Sequence, residues 1–160
     1  MKILYICTHN RCRSILSEAV TNQLASGVIE ARSAGSQPAG VVHPLSLQYL
    51  KQAGYSTGGL QSQSWDEFES FAPDIVVTVC DSAAGESCPV WFGNCIKVHW
   101  GLSDPSRIVG REQDIEAAFK ACITLIEERV KHLIGVAEKV KQESLSSDEL
   151  RNALTQLGAQ

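Results

Sequence analysis

Ile3-Leu4-Tyr5-Ile6-Cys7-Thr8-His9-Asn10-Arg11-Cys12-Arg13-Ser14-Ile15-Leu16 passes from an apolar run through a polar loop into a stretch where Ile15, Leu16, Ala19, Val20 and Leu24 recur at helical spacing. The pattern predicts a strand, a loop and a helix that Gly27 ends. A thiol followed by five residues and an arginine, at the carboxyl end of a strand, puts Cys7 at the floor of a loop whose N–H groups point inward. Such a loop, leading into a helix N-terminus, cradles an oxyanion. The same dipoles and Arg13 favour a thiolate at Cys7, where a free pKa of about 8.5 falls to roughly 3.5–7.5. Cys7 is therefore the candidate nucleophile. Arg13 supplies a planar two-pronged donor for two oxygens of a tetrahedral anion, and the Ser14 hydroxyl can hydrogen-bond the sulfur when it is attacked or expelled. Thr8, His9, Asn10, Arg11, Cys12, Arg13 and Ser14 are the candidate oxyanion-binding residues. Asn10 is expected at φ > 0, tying the loop together through its side chain. A buried cysteine with a chance arginine is the plainer alternative, and the position between strand and helix weighs against it.

Outward from this loop, residues 28–34 read as a second strand and 35–40 as a turn-rich loop bordering the site. His43-Pro44 introduces a helix through Leu45, Leu47, Tyr49 and Leu50, closed at Gly54, with His43 in a structural role. Residues 65–71 read as a short helix, and 75–79 as a continuous apolar run that suits a strand buried on both faces. Cys80 follows it. Residues 96–100 form another strand, and 114–141 a long helix carrying Ile115, Phe119, Cys122, Ile126, Val130, Leu133 and Ala137 on one stripe. Strands alternating with helices predict a single α/β domain over 1–141, a central parallel four-stranded sheet with helices on both faces and a ligand at the carboxyl ends of the strands. In the extension 142–160, Ser146 to Glu149 resembles a capping box before an apolar strip, which predicts a short helix without catalytic residues.

At 160 residues, 44% hydrophobic and 20% charged, the chain suits one globular domain. A net charge of -4 gives no reason to expect nucleic acid or an anionic membrane as partner. Met1 leads almost at once into the first strand without a charged segment and long apolar run, so the expected location is cytoplasmic. There the six cysteines (7, 12, 80, 88, 95 and 122) serve transient, catalytic disulfides rather than a secreted framework. Cys80-Asp81-Ser82-Ala83-Ala84-Gly85-Glu86-Ser87-Cys88 separates two thiols by small, polar residues that are easily remodelled. Cys122 falls on the apolar stripe and reads as inert, while Cys95 is an alternative to Cys88. The cysteine spacings lack the Cys-x2-Cys pairs of structural zinc, so neither metal nor cofactor is expected. Trp100-Gly101-Leu102-Ser103-Asp104-Pro105 offers Asp104 as a proton donor or, more plainly, as a turn residue.

Taken together these segments resemble the low-molecular-weight protein tyrosine phosphatase superfamily as far as about Val140, and within it the arsenate reductases. The resemblance implies that Cys7 attacks arsenate, Asp104 protonates the leaving oxygen, Cys80 attacks Cys7, and Cys88 then attacks Cys80. It implies a thiol reductant, either thioredoxin or glutathione with glutaredoxin. Two resolving cysteines favour thioredoxin, because the cascade closes within the chain. In the tyrosine phosphatases aromatic residues follow Asp-Pro, whereas Ser106 and Arg107 follow here, which favours a small inorganic oxyanion. Some of these reductases bind potassium through residues matching Asn10, Glu18 and Ser33, but Trp65 stands where an acidic ligand is expected. The other readings are a tyrosine phosphatase, which needs only Cys7, Arg13 and Asp104, and a non-enzymatic arsenite- or metal-binding sensor using the cysteines.

Overall fold

The computed structural model describes residues 1–85, 95–142 and 145–159. Four strands, β1 (Lys2–Ile6), β2 (Glu30–Ala34), β3 (Ile75–Thr78) and β4 (Ile96–His99), pair in parallel in the order β2-β1-β3-β4. The helices are α1 (Arg13–Leu24), α2 (Pro44–Gln52), α3 (Asp81–Ala84), α4 (Glu112–Lys141) and α5 (Ser147–Gly158). Parallel pairing buries both faces of the sheet, which is why β1 and β3 carry apolar residues in succession. Tyr5 points to the face covered by α1 and α4, and its hydroxyl meets Thr21 Oγ1 at 2.8 Å. Leu4 and Ile6 point the other way and are equally buried. There the 57–72 segment runs, with Phe71 beneath the Lys2 ammonium.

Two expected elements are shorter than their sequence patterns. The amides of Val28 and Ile29 both donate to the Ala25 carbonyl, closing the end of α1, so β2 starts only at Glu30. Residues 65–71 are helical only over Trp65–Phe68, as a 3-10 turn that Ser64 caps. His43 has the structural role expected of it, its Nδ1 accepting from the Leu45 amide at the start of α2. The tail forms the expected helix, with Ser146 Oγ accepting from the Glu149 amide (3.2 Å). It packs on α4 and β4. Among the described residues no helix is long and apolar enough to cross a membrane. Cys7, Cys80 and Trp100 follow the carboxyl ends of β1, β3 and β4, on one edge of the sheet.

Candidate active site

Cys7 follows β1 directly and donates its amide to the Ala34 carbonyl. Beyond it the loop carbonyls are committed to a neighbouring segment. Thr8 O accepts from the Gln37 amide (2.9 Å), His9 O from the Ala39 amide (3.0 Å) and Ser62 Oγ, and Arg11 O from the His43 amide (2.9 Å) and Ser46 Oγ. With the carbonyls held outward, the loop amides and the first turn of α1 are left to face an anion over Cys7. Asn10 has φ of 45° and is fully buried. Its Nδ2 donates to Ser14 Oγ (2.9 Å) and its Oδ1 accepts from the Gln63 amide (2.9 Å), which joins loop, α1 and the 57–64 segment. Ser14 is thus held by Asn10, and no bond from it to the Cys7 sulfur forms among the described residues. Gly35, legible only as a turn residue, passes so close that a Cβ there would lie 2.6 Å from the Cys7 carbonyl oxygen. His9 and Arg11 are exposed, with His9 Nδ1 3.1 Å from the Gln37 carbonyl. Cys12 is buried at the N-terminus of α1, and burial pushes its thiol up to about 11.

Cys80 is the next but one residue after β3, and its sulfur lies beside Cys7, close enough for the two thiols to be electrostatically coupled. The Thr8 amide donates to Cys80 Sγ at 3.4 Å, with Thr8 Oγ1 at 3.7 Å. The pairing with Cys80, and then burial, push the Cys7 thiol up despite Arg13. The same pairing, helped by the amides of Thr8 and Ala83, brings Cys80 down to about 5 against its own burial. At neutral pH the pair therefore shares one proton between its two sulfurs.

The segment after Cys80 starts as the single turn α3 rather than as an open loop. His99 Nε2 holds Asp81 Oδ1 at 2.9 Å while His99 Nδ1 meets Thr78 Oγ1 at 2.8 Å. Cys88 lies outside the described residues. Cys95 precedes β4, bonded to the Pro73 carbonyl. Ile96 pairs with Ile75, so Cys95 sits some six residues, about 20 Å, back along the sheet from Cys80. Disulfide formation requires Cα atoms within about 7 Å, which excludes a direct Cys80–Cys95 bridge while β4 is paired. Cys122 is buried on α4 as expected.

Asp104 approaches from the far side of the loop. Its Oδ1 accepts from the amide (3.0 Å) and hydroxyl (2.6 Å) of Ser106, and its Oδ2 lies 3.5 Å from both Arg13 and Arg107. Arg13 also donates to the Leu102 carbonyl (3.1 Å), while its Nε is buried with no hydrogen-bond partner among the described residues. Cys7, Arg13, Asp104 and Cys80 are thus brought together. Of the residues matching the potassium set, Ser33 Oγ donates to Glu18 (2.7 Å), Asn10 Oδ1 accepts from the Gln63 amide, and burial pushes the Glu18 carboxyl up. Among the described residues no group of three or more His, Cys, Asp or Glu is placed to hold a metal.

The family model of the low molecular weight phosphotyrosine protein phosphatases matches residues 2–146. The chain belongs to that family. The match to this phosphatase family stops at Ser146, the N-cap of α5. An arsenate reductase of Halalkalibacterium halodurans is 31% identical over 129 residues, 81% of this chain and 91% of that one. A glutaredoxin arsenate reductase of Synechocystis sp. is 28% identical over 134 residues, 84% of this chain and 96% of that one. A solved structure described as an arsenate reductase in the phosphate binding state is similar with a TM-score of 0.68 at 27% identity, covering 84% of this chain and 96% of that one.

Proposed function

We propose that the chain is an arsenate reductase in which Cys7 is the nucleophile, Arg13 and the amides of loop 8–14 hold the oxyanion, Asp104 is the acid, and Cys80 and Cys88 carry the oxidation away. The placement of Cys80 beside Cys7, its sulfur 3.4 Å from the amide of the next residue, Thr8, carries this reading. Phosphate-ester hydrolysis needs only a nucleophile, an arginine and an acid, whereas a second thiol beside the nucleophile is what disulfide formation needs. The arsenate reductases among its relatives support the same substrate.

As Cys7 Sγ attacks arsenic, its proton passes to Cys80, an As–O bond breaks, and Asp104 protonates the departing oxygen so that it leaves as water. Cys80 then attacks the Cys7 sulfur and gives its proton to an arsenic-bound oxygen. The S–As electron pair stays on arsenic, arsenic(V) becomes arsenic(III), arsenite departs, and two thiols become one disulfide. Cys88 attacks Cys80, expelling Cys7 as the thiolate and leaving a Cys80–Cys88 disulfide for an external dithiol. Thioredoxin is the reductant favoured here, since the chain's own pair removes the need for glutathione to attack the first intermediate. Glutaredoxin with glutathione is the alternative, supported by the Synechocystis relative. This chemistry suits a reducing compartment such as the cytoplasm.

Reduced protein given arsenate, thioredoxin, thioredoxin reductase and NADPH is expected to form arsenite. Formation no greater than that of Cys7→Ser would remove the reading. Arylphosphate hydrolysis is expected to be feeble, and efficient turnover indifferent to Cys80→Ser would make the protein a phosphatase instead.

A further inference from the structure

The helix α5 begins where the family match ends, yet it is bonded to the segment that carries Asp104. Leu154 and Leu157 are buried, and the Leu154 carbonyl accepts from Trp100 Nε1 at 2.7 Å. The C-terminal turn of α5 lies directly on the end of β4: a Cβ on Gly158 would sit 2.6 Å from the His99 carbonyl oxygen. Between the helix and that segment lies Arg129 of α4, only 4% exposed. It donates to the carbonyls of Trp100 (3.2 Å), Gly101 (3.3 Å) and Gly158 (3.4 Å). A buried guanidinium is costly, and burial pushes the Arg129 pKa down. Here it is compensated by backbone carbonyls, including one at the negative end of the α5 dipole.

From Trp100 the connection to the site is short. The amides of Trp100 and Leu102 donate to Thr78 (2.8 Å) and Val79 (3.0 Å), and the Leu102 carbonyl accepts from Arg13. Asp104 follows two residues later. We propose that Arg129, Trp100 and α5 form a positioning clamp that fixes segment 100–104 against Arg13, so that Asp104 is held over the oxygen leaving the attacked centre. None of the three touches the substrate. They act through Asp104, and the inference rests on Asp104 being the acid.

The test uses the full chain, because truncating α5 would expose the apolar surface it covers. Single-turnover arsenite formation is measured for Arg129→Met, Arg129→Lys and Trp100→Phe, each alone and combined with Asp104→Asn. Inorganic phosphate protection of the loop thiols from iodoacetamide is measured alongside. A displaced acid costs up to about a hundredfold in rate. Arg129→Met is expected to lose between about tenfold and that limit, Trp100→Phe less, and Arg129→Lys to recover part of the loss. Phosphate protection is expected to stay within about twofold of wild type, and the variants to add no further loss in the Asp104→Asn background. Parallel loss of phosphate protection and rate, or losses that multiply with Asp104→Asn, would assign the clamp a general structural role and overturn the proposal. Wild-type rates in both Arg129→Met and Trp100→Phe would do so too. If Arg129→Met fails to fold, Trp100→Phe decides alone. A fully active Asp104→Asn would remove the acid assignment itself, a result separable from the others.

Discussion

Around Cys7 the loop carbonyls of Thr8, His9 and Arg11 are each held by a named donor and Asn10 is fully buried, whereas beyond Cys80 the chain makes one turn, tied back chiefly by His99 to a solvent-exposed Asp81. The two regions meet at the neighbouring, coupled thiols of Cys7 and Cys80. The first must present fixed dipoles to an anion, and rigidity there spares reorganisation during reaction. In the proposed reaction the second must let Cys80 leave Cys7 for another thiol, and a single helical turn held through an exposed side chain opens at small cost.

The largest break in this comparison is Cys80→Ser. Arsenite release is expected to fall to background while inorganic phosphate still protects Cys7 from iodoacetamide, because the anion loop does not depend on the second thiol for its shape. Arsenic should stay bound to Cys7, as mass spectrometry of the quenched protein would show. Gly35→Val tests the rigid side. Its Cβ meets backbone that cannot move without the loop, so a cost of about 1–3 kcal/mol is expected in urea unfolding, with weaker phosphate protection.

The proton shared by the pair gives a third test. Reduced folded protein holds one proton on the two thiols between about pH 5, where Cys80 titrates, and the ordinary thiol range near 8.5. The unfolded chain holds two, so stability relative to Cys80→Ser is expected to rise with pH across that window. Above it the sign reverses, because Cys7 keeps its proton when the unfolded thiols have lost theirs. Urea midpoints of both proteins at pH 5, 7, 8.5 and 9.5 measure this. In Cys80→Ser the second ionisable thiol that raises Cys7 is gone, so Cys7 alkylation should move to lower pH. The smallest effect belongs to His99→Ala. A partly exposed pair is worth less than about 1 kcal/mol, but release of Asp81 should speed formation of the Cys80–Cys88 disulfide in stopped-flow assays.

What the sequence disclosed follows the range of the interactions. The strand–loop–helix around Cys7, the positive φ of Asn10 and the Ser146 cap are set by residues within a few positions, so their patterns are readable directly. Gly35 was visible only as a turn residue because its reason lies in the Cys7 carbonyl, reached through β1–β2 pairing. The coupling of Cys7 with Cys80 belongs to a pair assembled by β1 and β3. Arg129 was passed over because charge on a long helix suggests solvent. Its place three residues after Ile126 and four before Leu133, on the buried stripe, was the available signal.

The central claim is that the neighbouring thiols of Cys7 and Cys80 deliver the two electrons that arsenate accepts. Its most direct test is a single turnover of reduced protein with arsenate and no external reductant, quenched with acid at successive times, with arsenite quantified and disulfides mapped by mass spectrometry. The account predicts one arsenite per chain, a Cys7–Cys80 disulfide at early times, and its replacement by Cys80–Cys88. Arsenite appearing without Cys80 in any disulfide, or a first disulfide joining Cys7 to Cys12 or Cys95, would contradict it.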